Sequence, residues 1–344
     1  MRSAADRPCA SRSFLNSHKP FLIYFMSFSK SLLLFTSAAA LLASQGAAHA
    51  HGFAGDRFFP ATLTTDDPFV AAELSLPTVS TIITPDDGGT RETDLSFDIA
   101  FKITDNFGLE FGESFTKLAP PEGRALTGWQ NLEIGGKYQF FVSEKHETIL
   151  SLGLDAEIGG TGRKLIGADT FTTWTPGLFF GKGFGDLPDS LNFLKPLAIT
   201  GSVGLAIPSS ARSVTFSRDP DTGEREMDIE EHPNTLEWGF AVEYSLIHLQ
   251  SHVKDIGLRA PFDRLIPLVE FSFETPLDRG SRGETTGTIN PGIIWSGKYC
   301  QLGAEAVIPV NSRTGSNVGM IFQVHFYLDD LFPRSLGHPL FSKR

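Results

Sequence analysis

Residues 149–160 read ILSLGLDAEIGG. Leu150, Leu152, Leu154, Ala156 and Ile158 share one parity, and Ser151, Gly153, Asp155, Glu157 and Gly159 share the other. Side chains on a strand alternate between faces, so this stretch predicts a strand with one oily and one acidic face. The pattern recurs along the chain. Phe97, Ile99, Phe101 and Ile103 oppose Asp98 and Lys102. Leu132, Ile134, Tyr138 and Phe140 oppose Glu133, Lys137 and Gln139. Leu236, Trp238, Phe240, Val242 and Tyr244 oppose Glu237 and Glu243. Val269, Phe271 and Phe273 oppose Glu270, Ser272 and Glu274, and Met320, Phe322, Val324 and Phe326 oppose Gln323 and His325.

Twelve strands are predicted, over 72–83, 94–104, 108–118, 126–141, 148–159, 171–184, 195–208, 235–249, 264–275, 286–296, 299–309 and 317–328. Strands in globular proteins average about five or six residues, whereas a tilted strand needs about 9–11 to cross a bilayer. The predicted strands are of the longer kind. Connections at 105–107, 142–147, 185–194 and 297–298 are mostly short, and those at 84–93, 119–125, 160–170, 209–234, 276–285 and 310–316 are mostly longer and polar. The 250–263 connection breaks that alternation. Short turns at one end and longer loops at the other are the pattern of outer-membrane barrels. An even strand count returns both termini to one side.

Two folds give period-two alternation. A β-sandwich turns its oily faces inward, and a membrane barrel turns them out to lipid. Strand length, aromatic residues along whole faces and glycine on the opposite parity favour the barrel. The reading is an all-β fold, a transmembrane up-and-down antiparallel β-barrel of twelve strands. Leu150 to Ile158 then face lipid, and Asp155 and Glu157 face the lumen.

Ahead of the barrel, residues 26–50 carry Lys30, an apolar run from Ser31 to Ala43 and an Ala48-His49-Ala50 cleavage site, which together read as a secretory signal peptide. Residues 1–25 precede Met26 and read as an upstream translation from a mis-set start. The expected organisation is 1–50 signal peptide, 51–71 a periplasmic or lumen segment, 72–329 barrel and 330–344 tail. Loss of residues 1–50 removes five of 29 basic and one of 40 acidic residues, leaving 24 against 39. That balance disfavours nucleic acid and anionic surfaces as partners. Cys300 alone remains, so no intrachain disulfide is possible.

The last predicted strand reads SNVGMIFQVHFYLDD. Asn317, Gly319, Phe322 and Val324 resemble the signal that bacterial outer-membrane barrels present to their assembly machinery, although the chain runs on through Phe332 and Phe341 to Arg344. The post-signal stretch HGFAGDRFFPATLTTDDPFVAAELSLPT, with the glycine-and-aromatic strand style, resembles the outer-membrane transporter family named for the meta-pathway of phenol degradation. That resemblance implies a barrel passing small organic molecules and carries over no catalytic residue.

The candidate lumen-lining residues are Asp98, Lys102, Glu133, Lys137, Asp155, Glu157, Glu237, Glu243, Glu270, Glu274, Glu305 and His325, with Glu110 on the same parity. Rings of carboxylates favour cations, but crowded carboxylates also resist ionising together. A cation-preferring pore and a structurally packed lumen both remain open. Twelve strands lie between the filled eight-stranded barrel and the wide 16–18-stranded channel. The lumen glycines Gly135, Gly153, Gly159, Gly239 and Gly303 make room or relieve crowding. Segment 51–71, with Phe53, Phe58, Phe59 and Phe69, lies either in the lumen as a plug or in the periplasm. His325 reads as a lumen hydrogen-bonder, since no G-x-S-x-G and no lipid-face serine accompanies it. Trp129, Trp174, Trp238, Trp295, Tyr138, Tyr244, Tyr299 and Tyr327 are candidates for interfacial girdles. The expected function is a porin-like outer-membrane barrel passing a small neutral, aromatic or cationic solute. A closed structural or ligand-holding barrel is the alternative, and a barrel lipid-modifying enzyme the third. The expected partners are outer-membrane lipid, the barrel-assembly machinery and the small solute, with no cofactor, no metal and no enzymatic activity. Oligomeric state is not readable from the sequence.

Overall fold

In a computed structural model, residues 52–218 and 225–341 are described. The expected signal peptide, residues 1–50, lies outside them. Period-two segments become twelve barrel strands: β1 Glu73–Ile83, β2 Arg91–Thr104, β3 Phe107–Ala119, β4 Leu132–Ser143, β5 Thr148–Ile158, β6 Thr173–Gly183, β7 Leu197–Pro208, β8 Thr235–Tyr244, β9 Leu265–Pro276, β10 Thr286–Ser296, β11 Cys300–Pro309 and β12 Gly319–Tyr327. Each pairs antiparallel with its sequence neighbours, and β12 pairs with β1 from Met320↔Thr81 to Tyr327↔Glu73. The ring is closed, so no strand edge is left for another chain.

The register sends the two parities to opposite sides. Leu152 and Leu154 are exposed on the outside, as are Trp174, Leu178, Met320 and Phe322, while Ser151, Glu243, Glu270 and His325 are buried inside. Trp238 stacks on Phe273 at 4.4 Å and Phe240 on Phe271 at 4.6 Å, each a directly opposed pair on β8 and β9. Such aromatic cross-strand pairs stabilise an antiparallel ladder. No helix among the described residues is long and apolar enough to cross a membrane; the strands cross it. The apolar exterior, polar interior and even strand number are those of a bacterial outer-membrane barrel. Short turns mark its periplasmic end.

Several sequence expectations need correction. The strand expected over 126–141 is interrupted. Leu126–Trp129 pairs with the outer end of β3, then Gln130 and Asn131 leave the strand before β4. Asn131 is buried and organises the break: its amide donates to Glu157 Oε1 at 2.8 Å and Asp169 O at 2.9 Å, and its Oδ1 accepts from Gly162 N at 2.9 Å. The strand expected over 235–249 ends at Tyr244, because Ser245 Oγ accepts from His248 N at 3.1 Å and caps a helical turn at Leu246–His248. The final strand starts at Gly319, which leaves Asn317 in the preceding loop. Tyr327 is no girdle residue: it is 3% exposed and hydrogen-bonds Ser296 and Gln301. The 209–234 loop holds a β-ribbon of Arg212–Arg218 with Arg225–Glu231 that alternation did not single out.

Candidate functional site

The chain ahead of β1 enters the lumen from the periplasmic end. Phe53–Ala54 pairs with Arg57–Phe58 in a short ribbon, closed by Phe59 N donating to Gly52 O at 2.8 Å. Arg57 is fully buried. Its Nε donates to Glu147 Oε2 at 3.1 Å, Nη1 to Pro196 O at 3.0 Å, and Nη2 to Lys195 O. Glu147 is itself built into a left-handed turn after β4, with φ 44°, and its Oε2 also accepts from Gly185 N at 2.8 Å. One guanidinium thus ties the N-terminal ribbon to two periplasmic turns.

Beyond the ribbon, Phe59 packs on Phe69 with ring centroids 5.5 Å apart, among Ala54, Ile149 and Ala198. Leu63 packs against Ile266, Leu268, Ile294 and Ile321. All four lie on the lumen parity, an apolar patch inside the barrel at its periplasmic half. Glycine supplies the clearance: a methyl at Gly303 would meet Leu63 Cδ1 at 2.5 Å, and one at Gly239 would meet Thr65 Cγ2 at 2.6 Å.

Irregular backbone at membrane depth must find internal hydrogen-bond partners. Here the wall supplies them. Glu270, fully buried on β9, accepts from Leu63 N at 2.7 Å, Thr64 N at 2.9 Å, Thr65 N at 2.7 Å and Thr65 Oγ1 at 2.9 Å. Three successive N–H groups on one carboxylate form an anion nest, here occupied by the barrel's own side chain. Thr64 Oγ1 accepts from Asn290 Nδ2 at 2.8 Å and lies 3.5 Å from Glu305 Oε2. On the opposite wall Lys137 donates to Asp66 Oδ1 at 2.8 Å and Asp67 O at 2.7 Å, while Ser151 donates to Pro68 O. Gln301 donates to Ala61 O.

Toward the outer loops the lumen is different. A cavity of about 540 Å³ lies between residues 61–67 and the outer strand ends. Its wall includes Asp98, Glu110, Glu133, Asp155, Glu157, Glu237 and Glu274, with Gln323 and His325, and no Lys or Arg. Glu133 opposes Glu157 across β4 and β5, and Glu237 opposes Glu274 across β8 and β9. Neither pair has a Lys or Arg ion-pair partner among the described residues.

The remaining candidates fall elsewhere. Lys102 sits at the periplasmic end, 2.8 Å from Asp329 beyond β12, rather than beside the cavity carboxylates. Glu243 is buried low in the lumen and accepts from Thr200 Oγ1 at 3.0 Å. His325 Nδ1 is 3.0 Å from Ser75 Oγ, and its Nε2 is 3.3 Å from Glu73 Oε2. This serine–histidine–carboxylate row spans β1 and β12. It faces the lumen, however, whereas a lipid substrate would arrive on the outside, and His325 is only 2% exposed. At the periplasmic mouth His248 stacks on His252. Burial, with the Arg57 and His252 charges nearby, pushes His248 down to about 3, so its ring is neutral.

Sequence reasoning missed Arg57, Glu147, Thr64, Thr65 and Ser75. Their contacts join residues far apart in sequence, and three are hydroxyl residues with no spacing motif. A signal was nevertheless present: Ile149, Ile266, Leu268, Ile294 and Ile321 are large apolar residues on the otherwise polar lumen parity.

No family model and no curated protein matches the chain. Among solved structures, an outer membrane channel from Pseudomonas putida F1 is similar at 12% identity and TM-score 0.48, over 78% of this chain and 99% of that one. The NanC porin is similar at 8% identity and TM-score 0.41, covering 73% and 98%. The KdgM porin is similar at 10% identity and TM-score 0.40, covering 74% and 98%. Membership of the phenol meta-pathway family is not established by these comparisons. The barrel assignment rests on the closed ring of paired strands.

Proposed function

We propose that this protein is a gated outer-membrane channel for a small solute, with residues 52–70 acting as the gate at the periplasmic half of the lumen. One observation carries the reading: Glu270 holds three consecutive backbone N–H groups of that segment inside the barrel. A segment held by polar side-chain contacts and modest apolar packing can leave without disturbing any strand pair. The twelve-stranded wall would then enclose a continuous path. The acidic outer cavity supports a preference for cations over anions. The resemblance to the phenol meta-pathway transporters supports a small organic solute.

The test is conductance in planar bilayers under a potassium chloride gradient. The mature chain from His51 is expected to be mostly silent with brief openings. A variant lacking 51–70 is expected to give long, discrete steps with a cation-shifted reversal potential. Equal conductance in both proteins would overturn the gate. Silence in a deletion variant that stays heat-modifiable would favour the closed, ligand-holding barrel. An anion-shifted reversal potential would remove the acidic cavity from the solute path.

A further inference from the structure

We infer that the outer cavity is a binding site for a linear organic polycation, a molecule carrying two or more ammonium groups on a flexible chain. The inference deepens the channel reading by naming the solute class, and it rests on the cavity lying along the solute's path.

Two like-charge pairs line the wall. Glu133 faces Glu157, and Glu237 faces Glu274, each directly across a strand pair. Like charges directly opposite one another are destabilising. Toward the periplasm two buried carboxylates are matched to donors: Glu270 to the backbone of 63–65, and Glu147, on its turn, to Arg57. At the four outer positions the one side-chain donor among the described residues is Asn131, to Glu157. The wall therefore offers a concentration of carboxylates with open acceptor positions. The pairs lie four strands apart in a ring of twelve, a third of the way around.

A second feature points to a ligand independently of charge. Gln323 forms part of the same wall and is 7% exposed. Its Nε2 reaches Thr78 Oγ1 at 3.3 Å, while Oε1 has no hydrogen-bond partner. A buried amide oxygen without a donor is costly, and an incoming N–H group would satisfy it.

Geometry separates an organic cation from a bare metal ion. Calcium or magnesium needs several oxygens converging on one point. No group of three or more acidic, histidine or cysteine residues among the described residues is arranged to hold a metal ion. The carboxylates are spread around the wall, which suits charges spaced along a chain. A cavity of about 540 Å³ lies within the range of small-molecule sites. Lys137 does not fill it, because its ammonium is engaged by Asp66 and Asp67.

The test is calorimetric titration of spermidine into the full mature barrel in non-ionic detergent, at about 0.15 M salt to screen loose ion condensation. Saturable binding is expected. The Glu133→Gln/Glu157→Gln and Glu237→Gln/Glu274→Gln double variants, checked for heat-modifiability, are each expected to weaken it by about tenfold or more, as loss of a partly desolvated charge pair does. Magnesium chloride at equal concentration is expected to leave spermidine bound. Absence of saturable heat, equal affinity in both double variants, or displacement by equimolar magnesium would each overturn the inference. The titration needs no ion flow. Spermidine binding by a barrel that stays silent even without residues 51–70 would sink the gate and keep the site; gated conductance without binding would do the reverse.

Discussion

The two halves of the lumen use the same residue type in opposite ways. In the periplasmic half, Glu270 and Glu147 are buried and engaged by backbone N–H groups or by a guanidinium. In the outer half, Glu133, Glu157, Glu237 and Glu274 face one another around an open space. A carboxylate with matched donors fixes chain; one facing another carboxylate leaves a demand for positive charge. Substituting carboxylates should therefore destabilise the first half and stabilise the second.

The largest effect is expected in the periplasmic half. Glu270→Ala would leave the three N–H groups of residues 63–65 and the Thr65 hydroxyl without their acceptor. Hydrogen bonds to charged groups contribute roughly 1.5–3 kcal/mol each. Even a fraction of their sum would raise the detached population by more than about a hundredfold. Limited proteolysis should then cut within residues 58–70 while the barrel stays intact. Unchanged protection of that segment in Glu270→Ala would show that apolar packing at Phe59, Leu63 and Phe69 holds it instead. Arg57→Met, which strands the buried Glu147, bears on the same point, with an expected loss of about 3–5 kcal/mol for a broken buried pair.

The difference between the halves also explains what the sequence could show. Barrel walls repeat every two residues, so Leu150 to Ile158 and Trp238 to Tyr244 announce their faces without knowledge of their neighbours. The alternation overran furthest where a local device stopped a strand, as with the Ser245 cap and the Asn131-held loop. The threaded segment has no period. Its contacts depend on backbone groups meeting Glu270 more than 200 residues away, and no spacing rule encodes that meeting. What the sequence does carry is an inconsistency in the wall itself. Ile266 and Leu268 share a parity with Glu270, and a water-filled lumen has no use for them. Lumen parity alone could not separate the engaged Glu270 from the opposed Glu237 and Glu274, because the distinction is made by what lies across from each.

The outer half should respond with the opposite sign. Neutralising one cross-strand pair, with Glu237→Gln and Glu274→Gln together, removes a repulsion and leaves the fold's volume unchanged. Up to about 1 kcal/mol of stabilisation is expected from the pair, read as a higher unfolding midpoint in detergent. A lower midpoint would mean that the two carboxylates are engaged with donors after all, and the contrast between the halves would fail.

The smallest expected effect tests the row of Ser75, His325 and Glu73 at the seam between β1 and β12. Three roles compete for it: hydrolytic catalysis, gating and local order. Hydrolysis needs an oxygen nucleophile with room for a substrate carbonyl beside it and donors for the resulting oxyanion. Ser75 is buried, its hydroxyl is joined to His325 Nδ1, and the adjoining backbone is a β-bulge between Ser75 and Thr78. If the row only orders the seam where β12 closes onto β1, Ser75→Ala should lower stability by about 1 kcal/mol, the worth of one hydrogen bond. Conductance should not move, because the Glu270 nest does not involve this hydroxyl. Purified parent protein should release no product from short-chain esters. Release that disappears in Ser75→Ala would make the row catalytic, and the lumen would then have to be read as a reaction chamber in which the outer carboxylates select the substrate.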